Sequence, residues 1–369
     1  IRMSTLFNTL AAAAIFSQSV SRREPVRSRP LSTQASELKS RVASCSRDIS
    51  REITATVFFS AFATCSATFR AKEVLPMYEL VQVAENTYYI NAPSKIGVYR
   101  VSDDDVWLID SGNDKDAGRK IQKILDAQGW KLTAIINTHS NADHDGGNTL
   151  LQNRLNCAVY TTPMELAIVE YPMLEPSFLY GGYPFKKLRN KFLMATPSKG
   201  QDIADAPLPA GMEYFRLPGH FWDMIGVKTP DDVYFMADCV FGENILEKYH
   251  ISFFYDIAAQ LETLNMIEKL EGRLFIPAHA EPTEDIKPLA DANRKKMQEI
   301  LDALLEICKE PLHFELILKQ VFERFALTMD YSQYVLIGST IRSYLSYLVD
   351  QGKVECYVED ALLLWKTAE

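Results

Sequence analysis

The stretch "NTHSNADHDGGN", residues 137–148, concentrates groups able to hold a metal ion: His139, Asp143 and His144, with Asn141 between them. Nothing else in the chain is so polar and so patterned. The sequence has six histidines, and four of them stand just after β-rich runs: His139 and His144 after "IINT", His220 in "LPGH", His279 in "IPAH". Asp238 closes "VYFMAD" in the same way. Strand ends converge at one edge of a layered fold, so loops far apart in sequence can meet there. Imidazole and carboxylate without thiolate suit Zn²⁺, Fe or Mn. A lone loop histidine is more often a hydrogen-bonded polar group, but four at strand exits, with two aspartates, are hard to ascribe to chance. Gly146 and Gly147 fit the same picture, because glycine lets backbone pass close to a site. His250 and His313 lie outside the pattern and read as ordinary polar side chains.

The elements that must position these residues can be read from periodicity. From Met77 onward "YELVQVA", "TYYIN", "GVYRV" and "VWLID" are short strands separated by turn signals. Ala117, Ile121, Ile124 and Leu125 then recur at helical spacing, with Gly129 as a stop. "LTAIINT" is a buried strand that runs into the opening motif. Strand and helix alternate through "CAVYTT" and "PMELAIVE", and residues 171–212 read as irregular. Tyr171, Phe178, Tyr180, Tyr183 and Phe185 in that segment are expected to roof a pocket. Further strands follow at "MEYFRLPG", "IGVKT", "VYFMAD" and "RLFIPAH", with a helix over 256–270. Past residue 285 three apolar helical faces and a hairpin around Glu359-Asp360 suggest a winged-helix-like module over 286–369.

Composition sets outer limits. The 369 residues are 47% hydrophobic and 24% charged, ordinary for a globular chain of two or three domains. A net charge of −9 repels a phosphate backbone, and residues 286–369 carry ten Lys/Arg against thirteen Asp/Glu. No nucleic-acid partner is expected, and the C-terminal module is read as one that packs, forms a homodimer or covers the site. The six cysteines are scattered without a C-x-x-C pair, which fits reduced thiols. Residues 1–76 hold eleven Lys/Arg against five Asp/Glu and lack the periodicity of a packed domain. They read as an organellar transit leader or as upstream sequence foreign to the working protein, expected to be disordered. The protein is organellar in the first case, and cytoplasmic in the second, with its start at Met77. No apolar run reaches the roughly 18 residues of a membrane span, so no membrane partner is expected.

Taken together, these motifs resemble the metallo-β-lactamase superfamily, whose signature is H-x-H-x-D-H followed by distant His, Asp and His. The likeness spans residues 77–285. It implies an α/β fold, a four-layer αβ/βα sandwich with a metal centre at one edge of two sheets. Carried over, one metal site is His139, Asn141 and His220; the other is Asp143, His144 and His279, with Asp238 bridging. The short "PGH" and "PAHAE" gaps match the glyoxalase-II-like hydrolase branch. Asn141 departs from the family's histidine, and an amide oxygen is a weaker, harder donor than imidazole. The resemblance implies a hydrolase holding one or two Zn ions. A metal-bound hydroxide would attack a thioester, lactone, lactam or related ester of a small molecule, with Asp143 orienting or deprotonating the water. The alternative is a mononuclear iron dioxygenase of persulfide-dioxygenase type on His139, His220 and Asp238, a set that does not need an imidazole at 141. A third reading is a binding module that has lost catalysis.

Overall fold

The computed structural model describes residues 76–369; the reading of residues 1–76 as a leader or upstream segment lies outside them, apart from Pro76. One strand shows why the fold is layered. In β4 (Asp105–Ile109) Val106 and Leu108 face one way, Trp107 and Ile109 the other, and all four are buried. A strand covered on both faces reads as an unbroken apolar run. β4 is the middle strand of a seven-stranded sheet whose spatial order follows the chain. Its other members are β1 (Glu79–Gln82), β2 (Thr87–Asn91), β3 (Ile96–Arg100), β5 (Lys131–Ile136), β6 (Ala158–Thr161) and β7 (Gln201–Asp202). β1 to β4 form an antiparallel meander, and β4 to β7 pair in parallel.

Parallel neighbours require crossovers. α1 (Lys115–Gln128) joins β4 to β5; α2 (Ala142–Asp145) and α3 (Asn148–Leu155) join β5 to β6; α4 (Pro163–Glu170) and α5 (Leu174–Tyr180) lead from β6 towards β7. α1 begins where Asp114 accepts from the Asp116 and Ala117 N–H groups, and it ends at Gly129 in the left-handed region. A second sheet has the order β11-β10-β9-β8, from β8 (Glu213–Arg216), β9 (Ile225–Lys228), β10 (Val233–Phe235) and β11 (Leu274–Ile276).

Three apolar clusters glue these layers. Trp107, Ile109 and Ile136 of the first sheet meet Val227, Phe235 and Ile276 of the second. Outside the first sheet, Leu108 and Ile135 pack on Ile121 and Leu125 of α1 and Leu151 of α3. Outside the second, Tyr234 and Phe275 share a core with Leu264 and Ile267 of α7 (Ile257–Ile267). The result is the αβ/βα sandwich. The same outer core continues into the C-terminal helices α8 (Lys287–Ile307), α9 (Phe314–Arg324) and α10 (Tyr331–Asp350) through Met297, Leu304, Ile317 and Tyr344. A three-stranded sheet, order β12-β14-β13, completes this part from β12 (Leu312–His313), β13 (Val354–Glu359) and β14 (Leu362–Thr367).

The structure corrects the sequence reading in the details of short elements. Residues 171–212 contain α5 and β7 rather than irregular chain alone, and α6 (Glu243–Tyr249) has no counterpart in that reading. Helices of seven residues span two turns, too few for a period to show. α7 ends at Ile267, short of residue 270. Among the described residues no helix is long and apolar enough to cross a membrane.

Candidate metal centre

Each of the seven candidate residues leaves the end of a strand. β5 runs into Asn137–Asn141, and the single turn of α2 then carries Asp143 and His144. His220 follows β8, Asp238 follows β10 and His279 follows β11. Close backbone approach holds these loops in place. A Cβ on Gly147 would sit 2.3 Å from the Ser111 carbonyl oxygen, so a side chain there would push α2 off the loop after β4. Gly219 adopts φ +125°, and a Cβ would lie 2.4 Å from Gln260 Cα. Glu165, fully buried on α4, ties two ligand loops together. Its carboxylate accepts from Ser140 N and Oγ (3.0 and 2.6 Å) and from Asp223 N (2.8 Å).

The tertiary fold brings all seven side chains together. His139, His220 and Asp238 present donor atoms within 4.8 Å of one another; Asp143, His144 and His279 do the same. Asp238 reaches both groups: its Oδ1 lies 3.2 Å from His144 Nε2, and its Oδ2 lies 3.2 Å from His279 Nε2 and 3.7 Å from His220 Nε2. Asp143 Oδ2 lies 3.2 Å from His279 Nε2. Asn141 faces the same space, its Oδ1 3.0 Å from His220 Nε2. His250 and His313 stay away from the centre; one packs on Phe325 and the other stands at the N-cap position of α9 without a side-chain capping bond.

The residues behind the ligands decide which ring nitrogens face inward. Asp110, at the exit of β4, accepts from Thr138 N through Oδ1 (2.8 Å) and from Thr138 Oγ1 through Oδ2 (2.9 Å). With its proton committed, the Thr138 hydroxyl accepts from His139 Nδ1–H (3.0 Å), which leaves His139 Nε2 as a buried lone pair with no partner. Asp110 Oδ2 also accepts from His144 Nδ1–H at 2.8 Å. His220 Nδ1–H donates to the Phe253 carbonyl at 2.9 Å. With His144 uncharged, as it would be beside a bound cation, three Nε2 lone pairs converge, and the His220 one meets the Asn141 oxygen, acceptor against acceptor. Such a set fits a cation, with outer partners fixing each tautomer. Sequence reading missed Asp110 and also Ser94, whose Oγ lies 3.0 Å from His144 Nε2. Asp110 had a signal, since "VWLID" ends in aspartate just as "VYFMAD" does. It also holds φ +66°, a strained value for a residue other than glycine.

Carboxylates packed this closely call for positive charge. Burial opposes charge on His279, but Asp238 and Asp143 outweigh it and push the imidazole up to about 10. Burial likewise opposes charge on His144, and Asp238, Asp143 and Asp110 raise it well above the usual imidazole range. Asp238 is held well below the carboxylate range by His279 and His144 in spite of its burial. A divalent cation bound here would take over the charge these protons carry.

The surroundings of the site are aromatic, though the residues differ from those the sequence suggested. Phe241, Phe253 and Phe254 ring His220 at centroid distances of 5.8, 5.6 and 6.2 Å. Phe221 stacks on Trp222 and lies 6.1 Å from His139. Of the expected roof, Phe178 alone joins this group, against Phe221, Trp222 and Tyr255. Tyr171, Tyr180, Tyr183 and Phe185 are exposed, Tyr183 at 74%. Gly181 at φ +75° ends α5 and turns the chain from the side where Phe178 packs.

The profile of the metallo-beta-lactamase superfamily matches residues 92–279, the interval from the end of β2 to the last of the candidate ligand histidines. The chain belongs to that superfamily. It is similar over 36 residues, at 53% identity, to a hydroxyacylglutathione hydrolase of Thiobacillus denitrificans, a match covering 10% of this chain and 14% of that protein. Two solved structures share the fold over 80% of this chain. A beta-lactamase domain protein from Burkholderia ambifaria is 17% identical, with a TM-score of 0.61 and 96% of it covered. A metallo-beta-lactamase family protein from Thermus thermophilus is 19% identical, with a TM-score of 0.58 and 99% of it covered.

Proposed function

We propose that the chain is a metal-dependent hydrolase of a small thioester, lactone, lactam or related ester. The observation that carries this reading is Asp238 standing between two donor groups, 3.2 Å from both His144 and His279 and 3.7 Å from His220. A pair of cations, most simply zinc, held by these groups would acidify a water and polarise a carbonyl oxygen. The chain supplies the rest. His139, His144 and His220 offer ring nitrogens whose tautomers are set from behind. Asp143 is the ligand open to solvent, its side chain 40% exposed against 6% for Asp238. It is the carboxylate an entering water meets, and it orients that water and accepts its proton. Phe221, Trp222, Phe253 and Phe254 exclude bulk water on the His220 side and give an acyl chain an apolar wall.

The short match to a hydroxyacylglutathione hydrolase favours thioesters within this class. A second reading has its own support: His139, His220 and Asp238 are all buried and form a compact two-histidine, one-carboxylate group, the set a mononuclear iron oxygenase needs. Such an enzyme would have no use for Asp143, His144 and His279, so hydrolysis ranks first. We read the C-terminal helices and sheet as a winged-helix-like module that works by packing. Its Arg342 guanidinium lies 3.6 Å over the Phe314 ring.

The test is turnover of thioesters, lactones and a chromogenic lactam by the zinc-loaded protein without oxygen, beside oxygen uptake with iron and a glutathione persulfide. Anaerobic hydrolysis supports the reading. Iron-dependent oxygen consumption without hydrolysis of any panel member promotes the oxygenase in its place.

A further inference from the structure

Asn141 stands where the superfamily signature has histidine, and its amide could face the metal centre in either of two ways. With Oδ1 inward it offers a ligand; with Nδ2 inward it offers a hydrogen-bond donor and repels a cation. His220 alone would favour the second. Its Nδ1–H is committed to the Phe253 carbonyl, so Nε2 carries a lone pair that an inward Nδ2 would satisfy. The structure has the opposite arrangement, with Oδ1 3.0 Å from His220 Nε2.

Behind Asn141 lies the reason. Its Nδ2 donates to Glu175 Oε1 at 2.9 Å. Turning the amide over would set Oδ1 against the Oε1 acceptor at the same distance, an arrangement two acceptors oppose. Glu175 sits in the first turn of α5, is 3% exposed, and has no partner for its second oxygen. Burial and the carboxylates of Asp145, Asp143 and Glu165 push its carboxyl well above the usual carboxylate range. A buried carboxyl group bonded through Oε1 to a single amide is costly to the fold by itself.

We propose that Glu175 is the positioning residue that turns the Asn141 amide oxygen into the metal centre, and so completes the His139, His220 and Asp238 group with a fourth, oxygen ligand. The inference rests on the metal-centre reading above. It also alters the reading of the departure at 141: the imidazole is replaced by a two-residue device, an amide and the buried acid that orients it. Outer partners of this kind commonly change metal affinity by about 10- to 100-fold.

The experiment is competitive titration of zinc, and of cobalt followed by its visible spectrum, on the full chain and on Glu175→Leu, Asn141→Leu, their double variant and Glu175→Gln. Glu175→Leu should weaken one ion about tenfold or more, the same ion that Asn141→Leu weakens, and leave the other unchanged. The double variant should be no weaker than Asn141→Leu, because both act through one oxygen. Glu175→Gln keeps an acceptor for Nδ2 and should stay within about threefold of the parent. If Glu175→Leu is folded and binds both ions as the parent does, or if the two losses add, the proposal is wrong. Should Glu175→Leu fail to fold, the glutamine variant decides: a folded protein with the ion lost overturns the hydrogen-bond account. Failure of the underlying reading looks different, since the parent chain itself would then take up no stoichiometric metal.

Discussion

Asp110→Asn separates the role of an orienting carboxylate from that of a ligand. Asp110 touches no candidate metal position, yet it binds the Thr138 N–H and hydroxyl and the His144 Nδ1–H. Asparagine keeps the size and tolerates φ +66° better than most residues. Its Oδ1 can still accept from Thr138 N, but Nδ2 then replaces the oxygen facing His144 and the Thr138 hydroxyl. Two donors would meet across a distance of 2.8 Å, so His144 must move its proton to Nε2, into the metal centre. The Thr138 hydroxyl, now accepting from Nδ2, would turn its own proton to His139 Nδ1 and disturb that tautomer as well. Each group of ligands thus loses a correctly poised imidazole. An outer-partner change of about 10- to 100-fold per ion corresponds to about 1.4 to 2.8 kcal/mol of binding free energy at each position. Folding should survive, with a melting point lowered by no more than the loss of one or two buried hydrogen bonds, roughly 1–3 kcal/mol. The assay is metal content after dialysis against a chelator series, with the histidine tautomers read by nitrogen NMR of the protein at saturating zinc. A folded Asp110→Asn protein that retains both ions at parental affinity, with His144 still protonated on Nδ1, would refute the orienting role.

Further expectations follow from the same geometry. Asp238→Ala removes the carboxylate both groups share and should strip most of the metal from a folded protein; elemental analysis checks it, and full retention contradicts the shared site. Metal uptake must displace the proton His279 holds up to about pH 10, so affinity should climb as pH rises through neutrality towards that value, with proton release seen by calorimetry in buffers of different ionisation heat. Glu165, pushed up to about 7 by burial, binds its proton more tightly folded than unfolded. Its contribution to stability is therefore full below about pH 4.5 and is lost as pH rises through about 7, a swing of about 3 kcal/mol. Glu165→Gln should be less stable than the parent below about pH 4.5, through the loss of an acceptor for Ser140 or Asp223, but should lack that share of the pH slope in denaturant melts, so the gap narrows as pH rises through about 7; an unchanged slope counts against the shift.

How much of this was legible beforehand depended on the kind of residue. The strands of the sandwich showed as apolar runs because both faces are covered, as Val106 to Ile109 illustrate. The candidate ligands showed because histidine and aspartate at the end of such a run are chemically conspicuous, and the order of their motifs carried the family. Short elements did not show: α5 and α6, at seven residues each, are held by tertiary packing more than by a period of their own. Nor did the pocket wall, because whether an aromatic side chain faces a site or solvent depends on how its short helix packs: α5 holds Phe178 inward and leaves Tyr180 exposed, and Tyr183 and Phe185 beyond it are exposed too. Sequence alone thus determined which chemical groups the chain possesses and which layered fold delivers them to one edge. Only the tertiary structure decided their orientation: which nitrogen of each imidazole points inward, through Asp110, Thr138 and the Phe253 carbonyl, and which end of the Asn141 amide does, through Glu175. A ring or an amide turns on single hydrogen bonds to residues dozens of positions away, and no local pattern records those bonds.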